Sequence, residues 1–485
     1  MAGKEPGSRS SGSGAVDPAQ AFRLLPQVDE VLREPRVAAL VPLVGRELVH
    51  SFAVEAIESW RGEIRAGRLS TAAITERLAR GDLASFVDAL VRREKSKGVR
   101  RAINATGVVL NTGLGRAPVH PEVAEAMAEA ARSYCVLEID RWTGERNQRD
   151  QRLSELLARL TGAEAAIGVN NNAGAVLLLF QTFAGGKQAI VSRGELVEIG
   201  GSFRVPDVMA RAGASLVEVG TTNRTRLADF EKAITATTGL LMKVHTSNFR
   251  LVGFTEEVAS ADIAELGRKR GITTAIDLGS GLVEPTGAPA LAAILGGEPL
   301  VRAAVESGVD VVAFSGDKLL GAPQAGLLVG KRAAIEALRK NPIYRALRLD
   351  KVALAGLERT IEMLLAGRGG EIPARAMLAL DAEAIWPRAQ SLAARLARIA
   401  SVRAEVREGA SEPGSGSAPG VTIPTFVVRV EREGLGASAL AAKLRAADPP
   451  VYARIHEGSV LLDPRTLLPG DEEDLVRAFE ALARA

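Results

Sequence analysis

Cysteine is almost absent from this sequence: Cys135 stands alone among 485 residues. One thiol closes no disulfide framework and builds no cysteine-based zinc site. Free cysteine is often buried, so Cys135 reads as a structural thiol. Histidine is nearly as scarce. His50, His120, His245 and His456 lie too far apart for local metal-ligand spacing. No run reaches the roughly 18 apolar residues of a membrane span. The opening stretch, "MAGKEPGSRSSGSGAVDPAQ", lacks the apolar centre of a secretory signal. Together these absences predict a cytoplasmic protein with no membrane segment, preceded by a disordered Gly/Ser leader. The net charge is only +3, so a nucleic-acid partner would have to be met by local basic patches.

What is present suits a large soluble protein. Hydrophobic residues make up 47% and charged residues 25%, an ordinary globular balance. The length implies two or three domains. After the leader (1–19), apolar residues such as Val41, Val44, Leu48, Phe52 and Ile57 recur at helical spacing. Ser70 ahead of "TAAITERLA" is a helix-start signal. Residues 20–97 therefore read as a small helical domain, ending in the basic connector "RREKSKGVRR". From about 98 the pattern changes to short β-branched runs followed by amphipathic helices. This alternation predicts an α/β domain over 98–364, with a mostly parallel sheet covered on both faces. Residues 365–485 read as a smaller α+β domain, with strands at "VTIPTFVVRV" and "GSVLLDP". The intervening "EGASEPGSGSAPG" (408–420) reads as a flexible surface loop by composition.

The chemistry is carried by residues at the ends of apolar runs. "AFSGDKLLGAPQAG" places Lys318 just beyond such a run, among Ser315, Gly316 and Asp317. A lysine desolvated there has a lowered pKa and can form a Schiff base. "TTAIDLGSG" ends another run in Asp277. A carboxylate in that position suits the pyridinium nitrogen of pyridoxal phosphate, which needs an anionic partner to act as an electron sink. In "GVNNNAGAV", Asn170, Asn171, Asn172 and Ala173 fall between a strand and a helix, where backbone amides bind phosphate. The turn lacks the Gly-Lys-Ser/Thr of a P-loop and the GxGxxG of a dinucleotide site. With Ser315 added, it fits a cofactor phosphate. His245, in "KVHTSNF", is a candidate to stack on the cofactor ring or to orient substrate.

Four stretches carry a family resemblance: Arg100–Val119, Ile190–Met209, "HTSNFRLVGF" and "FSGDKLLGAPQAG". They resemble the bacterial L-seryl-tRNA(Sec) selenium transferases, or selenocysteine synthases. "LLPQVDEVL" (Leu24–Leu32) resembles the start of that family's N-terminal domain. The leader and the 408–420 segment fall outside the resemblance. It implies a fold-type-I pyridoxal phosphate enzyme with Lys318 as the cofactor lysine. It also implies a selenophosphate pocket that includes Arg116, Arg345 and Arg348, whose guanidinium forks suit such an anion. Members of the family are similar in forming a decamer of five dimers and in gripping tRNA with the N-terminal domain.

The implied reaction converts serine on tRNA(Sec) to selenocysteine. Lys318 would remove the α-proton, the hydroxyl would leave, and selenium would add from selenophosphate. Asp317, beside the lysine, is a candidate to assist proton or phosphate chemistry. Two other readings use the same residues differently. An eliminating enzyme acting on a small molecule would share Lys318 and Asp277 but need no tRNA-binding domain. A catalytically silent tRNA-binding scaffold would lack the visible absorbance of a bound cofactor. The basic residues Arg61, Arg65, Arg68, Arg92, Arg93, Lys95 and Lys97 favour a tRNA-dependent enzyme.

Overall fold

The structure is a computed structural model and describes residues 18–199, 203–284, 291–414 and 416–484. Most of the leader, residues 1–17, lies outside the described residues, as do Gly200–Ser202 of the second resemblance motif. The chain divides into two compact units, Met1–Arg101 and Ala102–Ala485.

The first unit is helical. Its longest helix, Arg46–Arg65, buries Val49, Phe52, Ala53, Ala56, Ile57, Trp60 and Ile64. Steps of three and four put all seven on one stripe, which buries them together. Helix Asp82–Lys95 adds Leu83, Val87 and Val91 to the same core. The Ser70 signal is a working cap: its Oγ accepts from the Ala73 amide at 3.3 Å and starts helix Thr71–Ala79.

The second unit is built on a seven-stranded sheet. Its spatial order is Ala165–Val169, Gly326–Gly330, Val311–Ser315, Thr273–Gly279, Thr238–Val244, Gln188–Ser192 and Ser215–Val219. Only Gly326–Gly330 runs against its neighbours. Alternation along each strand feeds two cores. Ile276, Val312 and Phe314 face one side, with helices Gln151–Thr161 and Lys351–Leu365. Ala275, Val311 and Ala313 face the other, with helix Asn172–Ala184. Both faces are covered, which is why these strands read as unbroken apolar runs.

A five-stranded sheet lies in the same unit, in the order Ile103–Ala105, Val451–His456, Ser459–Leu462, Ile423–Arg432 and Val402–Ser411. Ile103, Ala105, Val428, Val430, Val460 and Leu462 pack there on Leu392, Leu396, Leu475 and Phe479. Ile103–Ala105 pairs in parallel with Val451–Ala453. A strand from the start of the segment expected as the large domain thus forms an edge of the sheet in the segment expected as the small one.

Two expectations fail here. Cys135 is exposed. It follows helix Pro121–Arg132 in a segment that also leaves Tyr134, Val136 and Trp142 exposed, so its own apolarity did not bury it. The 408–420 segment is not a free surface loop. Glu408–Ser411 complete a strand paired with Ile423–Phe426, and Gly416, Ser417 and Ala418 are buried. Small residues fit there because the segment passes directly over Lys318.

Candidate active site

Lys318 sits three residues past the buried strand Val311–Ser315, and only 5% of it is exposed. Its Nζ donates to the Gly416 carbonyl at 3.3 Å. A Cβ on Gly416, whose φ is +77°, would lie 2.6 Å from that Nζ. Glycine suits the left-handed backbone, and its lack of a side chain leaves Lys318 Nζ where it is. Burial pushes the Lys318 ammonium below the usual lysine range, and the Arg116 charge pushes it further; Asp277, Asp317 and Glu298 pull the other way.

Asp277 lies within strand Thr273–Gly279, beside the strand that leads to Lys318, and is 3% exposed. Its Oδ1 accepts from Asn172 Nδ2 at 2.9 Å and from the Gly279 amide at 3.0 Å. Burial raises its pKa despite these donors and the nearby Lys318 charge. A cationic partner at this carboxylate would offset that desolvation.

Asn171 caps helix Asn172–Ala184, its Oδ1 accepting from the Gly174 amide at 2.8 Å. The Asn172 and Ala173 amides of the first turn remain as donors. Asn172 thus has a second task that the sequence did not suggest, since its side chain orients Asp277. Ser315 is buried at the end of its strand, opposite Gly326. The His245 amide donates to the Asp277 carbonyl at 2.8 Å, which sets the imidazole beside the same strand end. Asp317, next to Lys318, is paired with Arg116: Nη1 and Oδ2 are 2.7 Å apart.

Arg345 and Arg348 lie elsewhere around the site. They flank the end of helix Pro342–Leu347, whose Leu347 carbonyl accepts from the Asn170 amide at 2.9 Å. Both line a cavity of about 340 Å³ together with Arg146, Arg149, Arg339 and Lys340. Arg348 Nη1 lies 3.7 Å from Glu138, and its buried Nε has no hydrogen-bond partner. Tyr344 donates to buried Asp150 at 2.6 Å, and Arg339 bonds the other oxygen of Asp150, fixing the helix from beneath. Arg116 does not line that cavity. The Asn170 turn connects to the Arg345–Arg348 segment and, through Asn172, to Asp277.

The residues present fit pyridoxal phosphate. Asn172 Oδ1, His245 Nε2, Ser247 Oγ, Ser280 Oγ and Ser417 Oγ are buried without hydrogen-bond partners, an unusual number for groups this costly to leave unpaired. Gly279, at φ +67°, keeps open a space that a Cβ would enter, 3.1 Å from Ser247 Oγ and 4.0 Å from Lys318 Nζ. Glu298, Gly416 and Ser417 also belong to this neighbourhood and were not expected from sequence. "GGEPL" gives no local signal for a buried glutamate, and Gly-Ser composition reads as a linker whether or not it packs.

Comparison with known proteins agrees with this geometry. Residues 102–468 match the family model described as L-seryl-tRNA selenium transferase, and residues 22–61 match selenocysteine synthase N terminal. The L-seryl-tRNA(Sec) selenium transferase of Geobacter sulfurreducens is 44% identical, over 95% of this chain and 99% of its own. The protein of that name from Solidesulfovibrio magneticus is 46% identical, over 95% and 98%. Among solved structures, D-glucosaminate-6-phosphate ammonia-lyase shares the fold with a TM-score of 0.55 at 23% identity, covering 80% of this chain and 96% of that one. The chain belongs to the L-seryl-tRNA(Sec) selenium transferase family.

Proposed function

We propose that this protein converts seryl-tRNA(Sec) to selenocysteinyl-tRNA(Sec), with pyridoxal phosphate as cofactor and selenophosphate as selenium donor. The observation that carries the reading is the buried pair of Asp277, on one strand, and Lys318, just past the end of the neighbouring strand, in a chain of this family. Pyridoxal phosphate, when bound, draws electrons from the α-carbon of an attached amine, so that a β-hydroxyl can leave.

The remaining work falls to the protein. Lys318 Nζ would hold the cofactor and, once the seryl amine has displaced it, would take the proton from the seryl α-carbon. Burial and the Arg116 charge make this amine easier to deprotonate than an ordinary lysine. Asp277 keeps a proton on the ring nitrogen, and Asn172 fixes the carboxylate for that purpose. Asn171, Asn172, Ala173 and Ser315 hold the cofactor phosphate at the helix N-terminus. His245 would stack on the cofactor ring or orient the substrate. Asp317, held by its ion pair with Arg116, would assist proton or phosphate chemistry beside Lys318. Arg345 and Arg348 would receive selenophosphate in their cavity, with Arg116 placed apart beside Lys318; its selenium would add to the β-carbon after the hydroxyl has gone, and the Se–P bond would then break with release of phosphate.

The helical unit grips the tRNA through its exposed basic residues. The assembly is a homodecamer of five dimers working in the cytoplasm. No helix among the described residues is long and apolar enough to cross a membrane. The decisive experiment incubates the protein with seryl-tRNA(Sec) and selenophosphate and identifies the aminoacyl product by mass spectrometry. Recovery of serine alone would overturn the reading.

A further inference from the structure

Glu298 is a buried carboxylate beside Lys318 to which the mechanism above gives no task; 5% of the residue is exposed. A buried carboxylate is costly unless its oxygens are occupied. Its Oε2 accepts from the Ala418 amide at 3.0 Å. Its Oε1 lies 3.4 Å from His245 Nε2, and neither of those two atoms has an aligned hydrogen-bond partner. One side chain therefore touches two segments far apart in the chain. His245 ends the run of strand Thr238–Val244. Ala418 belongs to the strap of residues 412–414 and 416–421, which two residues earlier sets the Gly416 carbonyl on Lys318 Nζ.

We propose that Glu298 is a positioning residue that clamps this strap to His245 and so holds the Gly416 carbonyl on Lys318. The proposal rests on the reading of Lys318 as the cofactor lysine. Several features support it. Gly416 adopts a left-handed backbone at φ +77°, and a Cβ there would displace Lys318 Nζ. The strap is rich in glycine; its backbone bonds among the described residues lie at Glu412 and Pro413, to Gly107, Val109 and Leu110, and between Val421 and Ala418. It carries no charge between Glu412 and the end of strand Ile423–Arg432 that could anchor it electrostatically before Arg429. A carboxylate from another part of the fold supplies the anchor. Glu298 also acts on Lys318 through space. The charged groups facing Lys318 are Arg116, which disfavours the protonated amine, and Asp277, Asp317 and Glu298, which favour it.

The test uses the full-length protein with cofactor bound. Glu298→Ala removes the acceptor for the Ala418 amide, so hydrogen exchange across residues 412–422 should quicken by about fivefold or more. Glu298→Gln keeps an oxygen for that amide, so strap protection should stay within about twofold. It removes the charge, however, and the pH midpoint of the visible absorbance should move to lower pH, because the protonated Lys318 nitrogen loses an anionic neighbour. A merely structural glutamate would not move that midpoint in the Gln variant. Unchanged exchange in Glu298→Ala, or an unmoved midpoint in Glu298→Gln, overturns the proposal. If the Ala variant fails to fold, the Gln midpoint decides alone. Borohydride reduction and peptide mapping of the unsubstituted protein separate the two levels. A pyridoxyl group on any lysine other than Lys318 would overturn the cofactor reading, whereas strap exchange tests Glu298 without it.

Discussion

Arg116 Nη1 and Asp317 Oδ2 lie 2.7 Å apart, which brings a residue from the start of the second unit onto the neighbour of Lys318. Arg116 helps to depress the Lys318 pKa, second only to burial. The sign follows directly: without that cation the amine binds its proton more tightly and frees it only at higher pH. In Arg116→Gln, the acidic limb of α-proton exchange on seryl-tRNA should therefore shift to higher pH. Exchange measured without selenophosphate keeps this separate from anion binding. A limb at the wild-type position would show that Arg116 does not tune the lysine.

Asp277 is expected to act on the ring nitrogen. Asp277→Asn keeps a group able to hydrogen-bond the Gly279 amide but removes the anion. Cofactor should still bind, and turnover should fall by at least about tenfold, since about 1.4 kcal/mol of lost carbanion stabilisation does that. Normal single-turnover α-proton exchange in this variant would sink the role.

The arginine cavity is expected to serve only the second half of the reaction. Arg345 is exposed and makes no ion pair among the described residues. Arg345→Gln should weaken selenophosphate binding by about 2 kcal/mol, or roughly thirtyfold. Loss of the seryl hydroxyl should survive, because it needs no anion. If the variant instead blocked hydroxyl loss at normal selenophosphate affinity, the arginine would belong to the seryl or tRNA side.

For tRNA, the structure sorts the basic residues of the helical unit. Arg61 and Arg65 face Glu58, Arg92 faces Asp88, and Lys97 faces Glu94. Arg68, Arg93 and Lys95 are exposed and show no ion pair among the described residues. Replacing these three by glutamate should weaken tRNA binding and lower the slope of log affinity against log salt by roughly 0.9 for each phosphate no longer neutralised. Deleting residues 1–101 should leave a yellow, folded protein, because every proposed cofactor contact lies beyond that division. Full tRNA affinity in either protein would remove the helical unit from the role of grip.

The parts of this site that were legible in the sequence share one physical signature. Lys318 and Asp277 are polar residues that interrupt or follow apolar runs, and a buried strand exposes its chemistry at such points. Ser70 was legible because a helix cap is a local contract between a hydroxyl and an amide three residues on. The Asn171 turn was legible for the same reason. What stayed hidden depends on contacts made across the chain. Asn172, at the start of its helix, meets Asp277 across 105 positions of sequence. Glu298 meets Ala418 across 120 positions. The strap was misread because glycine and serine serve equally for chain freedom and for tight passage over a neighbour, and only the neighbour decides which.

The pairing of Ile103–Ala105 with Val451–Ala453 also sets a timetable for synthesis. About 350 residues separate the partners, so at 5–20 residues per second the first strand waits roughly 20–70 s on the ribosome for its place in the sheet. The seven-stranded sheet is complete in the nascent chain by Gly330, long before that. The strap over Lys318 emerges between these two events. A prematurely ended chain can therefore contain the cofactor lysine and its aspartate on a formed sheet, yet leave the lysine uncovered and the Ile103 edge open. Such fragments present an unpaired strand to chaperones and proteases, which offers the cell a means of distinguishing finished from unfinished copies.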